Sequence, residues 1–93
     1  MTAPKSQRTI VLLRASGERE EIPMAKMPTV EEIQGWVGGY FEEVHVMFEG
    51  KRCYMFINED GRERRLPMNR AACELEPTMM ILGDVAILTY RKK

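Results

Sequence analysis

The sequence is poor in the residues that build catalytic and metal-binding sites. Among its 93 residues it has one histidine, His45, and two cysteines, Cys53 and Cys73. Zinc sites use several Cys and His ligands at characteristic spacings, and no Cys-x-x-Cys or closely spaced Cys/His pair occurs here. A cysteine nucleophile needs a base within reach, and His45 stands in no motif with a cysteine, serine or acidic partner. We therefore expect no catalytic residues, no metal ligands and no cofactor, and we interpret the chain as a non-enzymatic protein.

Long apolar runs and an export signal are also missing. No segment approaches the roughly 18 consecutive apolar residues of a membrane span. The amino end, Met1 to Arg8, lacks the apolar stretch of a secretory signal. Two cysteines without such a signal are typical of free thiols in a reducing compartment. We expect a cytoplasmic protein that has no membrane partner.

The chain has no excess of either charge. Its formal net charge is zero, from 14 basic and 14 acidic residues, which disfavours a DNA mimic and also a protein that binds duplex DNA mainly through phosphates. The charges are nevertheless segregated, with acidic residues dominating the first half. A basic patch in the second half consists of Arg62, Arg64, Arg65 and Arg70. Because guanidinium groups bind phosphates bidentately, this patch is a candidate anion site.

The residue pattern predicts one domain between two short tails. Residues 1–8 are predicted to form a flexible tail, residues 9–90 a single α+β domain, and residues 91–93 a basic tail. Apolar patterns predict strands at residues 9–15, 18–22, 44–48, 53–57 and 85–90. Thr29-Val-Glu-Glu32 is a capping box that predicts a helix ending at Gly38-Gly39. Asn69 is predicted to begin a second, shorter helix that ends near Leu75.

These segments predict an α+β fold, in which an antiparallel sheet of four or five strands has one or two short helices packed on one face. The hairpin Val44–Ile57 carries apolar side chains on both faces. Short helices on one face would leave the other face of this hairpin uncovered. We therefore predict a homo-oligomer, with a dimer as its expected form.

Five short motifs occur in an order that is similar to one known family. They are Trp36-Val-Gly-Gly-Tyr-Phe-Glu, Asn58-Glu-Asp-Gly61, Leu66-Pro-Met-Asn69, Ala72 and Ile81-Leu-Gly-Asp-Val85. Over residues 9–90 this order and spacing resemble the phage- and plasmid-borne domain of unknown function family 3846 (DUF3846). The resemblance implies a helix ending in Val-Gly-Gly-Tyr, a hairpin ending in Asn-Glu-x-Gly and a terminal apolar strand. It also implies a home in a virus or mobile element, and thus the host cytoplasm if a phage encodes the chain. It implies no activity.

Two segments are candidate ligand sites. In the first, Gly38-Gly39 can bring backbone N–H groups against a phosphate while Tyr40 stacks on a base; the alternative is a helix C-cap followed by a core aromatic. In the second, Asn69 beside the basic patch offers a donor and an acceptor at a helix N-terminus; the alternative is an exposed loop whose arginines pair with acidic residues. The candidate ligand-binding residues are Tyr40, Arg62, Arg64, Arg65, Asn69 and Arg70.

These features favour a small non-enzymatic binding protein of a phage or mobile element that acts on host machinery. It would counter a host defence system either by binding a host protein or by sequestering a nucleotide-like signal. The alternative is a nucleic-acid-binding accessory protein that uses the basic patch Arg62–Arg70.

Overall fold

The computed structural model describes residues 6–92, so most of the predicted amino-terminal tail and Lys93 lie outside the described residues. The elements in chain order are β1 (Ser6–Leu13), β2 (Arg19–Met24), α1 (Val30–Val37), β3 (Phe41–Phe48), β4 (Lys51–Asn58), α2 (Arg70–Leu75) and β5 (Val85–Lys92). β1 begins at Ser6 and β5 reaches Lys92. Residues 6–8 and 91–92, which the sequence pattern assigned to tails, therefore belong to strands.

The strands form one antiparallel sheet in the order β2-β1-β5-β4-β3. The β1–β2 and β3–β4 pairs are hairpins, and the last strand, β5, lies between them. β5 pairs with β1 along its whole length, from Ser6↔Lys92 to Leu13↔Val85. The sheet confirms the predicted α+β class and the antiparallel pairing. It has five strands, the larger of the two predicted numbers.

Helix α1 begins and ends where the sequence predicts. The Thr29 hydroxyl accepts from the Glu32 backbone N–H at 3.1 Å, and the Glu32 carboxylate accepts from the Thr29 N–H at 2.8 Å. This reciprocal pair satisfies two N–H groups that a helix end leaves free. At the other end Gly38 adopts φ +87°, the left-handed conformation that stops the helix.

The two helices lie on opposite faces of the sheet, which differs from the prediction that they share one face. The α1 face is the face on which Ile33 and Val37 of α1 pack against Ile10, Leu12, Phe56, Ala86 and Leu88. The α2 face is the opposite face, where Ala72 of α2 packs with Val11, Leu13, Met55 and Ile87. The physical reason is the alternation of side chains along each strand, which gives the central strands an apolar residue on both faces. A single helix covers only one face, so each face needs its own.

This arrangement removes the uncovered apolar face that predicts a dimer. The second apolar face of the β3–β4 hairpin is covered within the chain, since Val46, Cys53 and Met55 are buried on the α2 face. The dimer therefore stays a prediction. Within residues 6–92, no helix has both the length and the apolar character needed to cross a membrane.

Candidate functional site: a sheet-face cleft beside a packed turn cluster

The motifs that resemble DUF3846 meet at one end of the sheet. The Asn58 amide donates to the Val37 carbonyl at 3.0 Å, at the end of α1. Its oxygen accepts from the Asp60 N–H at 2.7 Å. Asn58 is buried, so these two bonds satisfy a side chain that has lost contact with water. The Val-Gly-Gly-Tyr and Asn-Glu-Asp-Gly motifs thus hold each other in place.

The other motifs join the same group of turns. The Gly83 N–H donates to the Pro67 carbonyl at 2.7 Å. The Asp84 carboxylate accepts from the Ala15 N–H at 2.9 Å and from the Arg14 guanidinium at 3.0 Å. Hydrogen bonds to Glu20 and then to Asp84 raise the pKa of Arg14 above its usual value. We call this end of the sheet the turn cluster, defined by residues 37–40, 58–61, 66–69 and 82–84.

Arg64 and Tyr40, two of the candidate ligand residues, lie together beside the turn cluster. The Arg64 guanidinium donates to the Gly38 carbonyl at 2.5 Å and so binds the carboxyl end of α1, where a helix favours a cation. Tyr40 is not the core aromatic of the alternative interpretation, because 67% of it is exposed. A shallow depression of about 340 Å³ is lined by Gln34, Gly39, Tyr40, Asp60 and Arg64.

Replacing Gly39 with alanine is expected to lower the free energy of unfolding by about 1–2 kcal/mol. Gly39 has φ +154°, and an added Cβ would lie 2.8 Å from Nη1 of Arg64, which must then leave the Gly38 carbonyl. Urea denaturation of Gly39→Ala, alone and in an Arg64→Gln background, measures this coupling. The cost should be smaller in the Arg64→Gln background. An equal cost in both backgrounds would show that backbone conformation alone sets the effect.

Asn69 has a structural role rather than an exposed position. Its side chain is completely buried, and its amide donates to the carbonyls of Leu13 and Gly83 at 2.8 and 2.9 Å. Its oxygen accepts from the Ala72 N–H at 3.0 Å, which confirms the predicted N-cap of α2. Every polar atom of the side chain is bound within the chain, so none is directed towards a ligand.

The remaining arginines of the basic patch have no contact that unites them. Arg62, Arg65 and Arg70 are exposed, and they lie outside the depression that contains Arg64 and Tyr40. Arg65 adopts φ +55° within the turn that follows β4. The structure thus brings Arg64 to Tyr40, places Asn69 in the core, and leaves three arginines on the surface.

A larger concavity opens on the α1 face, at the opposite end of the sheet from the turn cluster. The β4–β5 ladder comprises three residue pairs and ends at Tyr54↔Leu88. Beyond that pair the two strands separate, and the Lys51 ammonium bridges them by donating to the Tyr90 carbonyl at 2.7 Å. The resulting sheet-face cleft has a volume of about 620 Å³ and is lined by His45, Met47, Arg52, Tyr54 and Tyr90, together with Val46 and Cys53.

Arg19 joins β2 to the tip of the β3–β4 hairpin on the α2 face. It projects from β2 on the α2 face and binds the Glu49 carboxylate at 2.9 Å, in the turn between β3 and β4. Its guanidinium also lies 5.4 Å from the centre of the Phe48 ring. Hydrogen bonds to Glu49 and then to Glu21 raise the pKa of Arg19 above its usual value. These contacts connect the hairpin tip to β2 on the α2 face, which is the face opposite the sheet-face cleft.

Aromatic rings form the walls of the sheet-face cleft. His45 and Tyr54 lie on paired positions of β3 and β4, with ring centres 4.9 Å apart in an edge-to-face arrangement. Tyr90 lies across the cleft on β5, and its ring is contacted by the Arg8 guanidinium at 5.9 Å. Tyr54 and Tyr90 are 39% and 38% exposed. Helix α1 covers the sheet near Phe56 but leaves these rings accessible.

Two guanidinium groups stand beside these rings. Arg52 is exposed and lines the sheet-face cleft. Arg8 is half-buried against Tyr90, and its Nε is buried without a hydrogen-bond partner. Buried donors are nearly always paired, so Arg8 retains an unused donor beside an exposed ring. Rings with cationic neighbours suit a ligand that has both an aromatic group and a negative charge.

The arrangement of the cysteines offers no thiol–imidazole pair. Cys53 and Cys73 are both free, in agreement with the expectation of reduced thiols. The Cys53 side chain is buried on the α2 face with Val46, whereas His45 belongs to the α1 face, so the sheet separates them. Within residues 6–92 no group of three His, Cys, Asp or Glu side chains is arranged to hold a metal ion.

The residues of the sheet-face cleft were missed as ligand candidates by the sequence analysis. The sequence pattern places Arg8 in a tail and places His45 and Tyr54 in two of the predicted strands. The available signal is that side chains at every second position of the hairpin share one face, which places His45 and Met47 of β3 with Arg52 and Tyr54 of β4. That signal identifies a shared face, but it does not show where α1 stops covering it.

Comparisons with known proteins place the chain in a family without supplying an activity. No curated protein and no solved structure matches it. The family model described as "Domain of unknown function (DUF3846)" matches residues 8–93. This match covers nearly the whole chain and includes every motif of the turn cluster, so the chain belongs to the DUF3846 family.

Proposed function

We propose that this chain is a non-enzymatic binding protein whose ligand contains a nucleobase and a phosphate. The observation that carries the proposal is the sheet-face cleft, where exposed tyrosine rings stand beside Arg8 and Arg52. Bases stack on aromatic side chains with little dependence on sequence. Guanidinium groups bind phosphate oxygens through strong, charge-assisted hydrogen bonds. One surface thus offers both kinds of contact that such a ligand requires.

The size of the cleft supports the same ligand class. Its volume of about 620 Å³ lies within the range of roughly 300–1,000 Å³ that is usual for small-molecule sites. The turn cluster is the less favourable location, because Asn69 and Asn58 there are occupied by the fold itself. The proposed ligand site is therefore the sheet-face cleft rather than the basic patch.

The proposed biological setting is a phage or mobile element, which the resemblance to DUF3846 suggested. In a phage or mobile element, a protein that binds nucleotides without transforming them would counter a host defence by sequestering a nucleotide-like signal. A nucleic-acid-binding accessory protein is the second candidate, and the same rings and guanidinium groups favour it. A host protein as the ligand stays a third candidate, since Met47 also lies exposed beside the cleft.

Calorimetric titration with mononucleotides, cyclic dinucleotides and short oligonucleotides tests the proposal. The informative variants are Tyr54→Leu and Tyr90→Leu, which keep apolar bulk but remove the ring. We expect each to weaken binding by about 5- to 150-fold, because stacking on one base contributes about 1–3 kcal/mol. Tyr54→Phe and Tyr90→Phe retain the ring and serve as matched controls that should bind like the unaltered protein.

Two outcomes contradict the proposal. One is the absence of binding to every nucleotide-containing ligand, which would leave a host protein as the favoured partner. The other is binding that survives both leucine variants but is lost in Arg64→Gln/Arg65→Gln/Arg70→Gln, which would return the site to the basic patch. Light scattering on the same samples measures the number of subunits and so tests the predicted dimer.

A further inference from the structure

We infer that the sheet-face cleft and Arg8 bind a single strand of nucleic acid rather than an isolated nucleotide. This inference rests on the proposed function and adds the class of ligand to it. The observation that carries it is a row of potential contacts that extends beyond the cleft itself. From β3 to β1 the row consists of His45, Tyr54, Tyr90 and Arg8.

The row is too long for one nucleotide. Its members occupy four neighbouring strands in the sheet order β3-β4-β5-β1. Adjacent paired strands lie about 4.8 Å apart, and β4 and β5 are further apart at the cleft, so the row extends over at least about 14 Å. Arg8 pairs with Tyr90 in the β1–β5 register, which places it on the far side of Tyr90 from the cleft. Sheet faces with exposed aromatic residues on central strands take about two or three stacked bases of a single strand.

The openness of the surface also favours a polymer. A site for an isolated small molecule buries most of its ligand, roughly 70–90% of the ligand surface. Here the rings of Tyr54 and Tyr90 stand on an exposed sheet face, and Met47 beside them is 58% exposed. A base on this face would be covered on one side by a ring and would remain open on the other. Such contacts bind tightly when several of them are linked along one strand.

The distribution of charge fits a phosphate backbone. Arg8 stands at one end of the row and Arg52 stands beside Tyr54, so a cation lies near each tyrosine. Glu43 is the acidic residue on this face of β3, and it lies two positions from His45 in the direction of α1. Glu20 on β2 is bound to Arg14. The strand of nucleic acid would therefore cross the end of the sheet that is remote from α1.

The test measures affinity against strand length and salt. Fluorescence anisotropy with labelled oligothymidylates and oligouridylates of one to eight nucleotides should show affinity rising to about three nucleotides and then levelling off. With Arg8 and Arg52 as two phosphate contacts, the slope of log K against log salt should be about −1.4, since each contact to a single strand contributes about −0.7. Arg8→Gln and Arg52→Gln should each reduce that slope by about half.

The outcomes separate this inference from the proposed function. In one outcome a mononucleotide binds as tightly as the octamer, with an affinity that still depends on Tyr54 and Tyr90. This result would overturn the inference of a single-stranded ligand and leave the proposed function intact. Failure of both mononucleotides and oligomers to bind would overturn both. Tyr54→Leu could instead change the subunit number in light scattering and leave the affinity for oligonucleotides unchanged. That result would show that the face contacts a second copy of the chain, and it would overturn the inference. Met80→Ala, which removes an exposed apolar side chain outside the cleft, is the control.

Discussion

Replacing Asn69 with leucine is expected to lower the free energy of unfolding by about 3–5 kcal/mol. Leucine has a similar size and fills the site, but it cannot form hydrogen bonds. The carbonyls of Leu13 and Gly83 and the N–H of Ala72 would lose their side-chain partner inside the protein. Each buried group left unpaired costs about 1–3 kcal/mol. These three groups belong to β1, to the turn before β5 and to α2, so one amide joins three parts of the fold.

Urea denaturation of the variant measures the loss, and two further variants isolate its cause. Arg70→Ala changes the next residue, which is exposed, and should alter stability by less than about 0.5 kcal/mol. Asn69→Asp keeps the oxygen that caps α2 but removes the donor to the two carbonyls, so it should remain clearly destabilised. An Asn69→Asp protein as stable as the unaltered one would show that the carbonyl contacts contribute nothing.

Local signals in the sequence were sufficient for most of the elements. The capping box at Thr29 begins α1 because it satisfies free backbone N–H groups, and Gly38 ends α1 because it adopts the left-handed conformation. The Glu49-Gly50 turn defines the β3–β4 hairpin, since both residues adopt positive φ there. Such signals act within a few residues of the chain. For this reason the order and type of the elements could be predicted.

The assignment of faces could not be predicted, because it depends on long-range packing. The apolar stretch of β1 predicts burial, but it does not distinguish one covering helix from two. Asn69 shows the same limit at the level of a single residue. Its position predicts a helix cap, while its bonds to Leu13 and Gly83 join segments that are distant in the chain.

The candidate site was missed for a related reason. The basic patch is a candidate from the sequence because its arginines are close along the chain, yet in the structure Arg64 binds the end of α1 and the other three arginines lie on the surface. The rings and cations of the sheet-face cleft, together with Arg8 beside it, come from four strands that are widely separated along the chain. Their proximity results from the insertion of β5 between the two hairpins, which no local sequence pattern predicts.

Ile87→Ala and Leu88→Ala are each expected to lower the free energy of unfolding by about 2–5 kcal/mol. The two residues are neighbours on β5, and both are completely buried. Ile87 packs on the α2 face and Leu88 on the α1 face. Truncating either side chain removes apolar contacts and leaves a cavity that the surrounding sheet fills only in part. In a sheet with one covered face, one of the two substitutions would be mild.

Thermal and urea unfolding of the two variants therefore test the placement of the helices. A loss of 2 kcal/mol corresponds to a drop in Tm of about 8 °C or more in a domain of this size. Thr89→Ala, the next position of β5, is half-buried and should cost about 1 kcal/mol or less. Comparable large losses for Ile87→Ala and Leu88→Ala would show that both faces are packed cores. A loss near that of Thr89→Ala for either variant would mean that its helix does not cover that face.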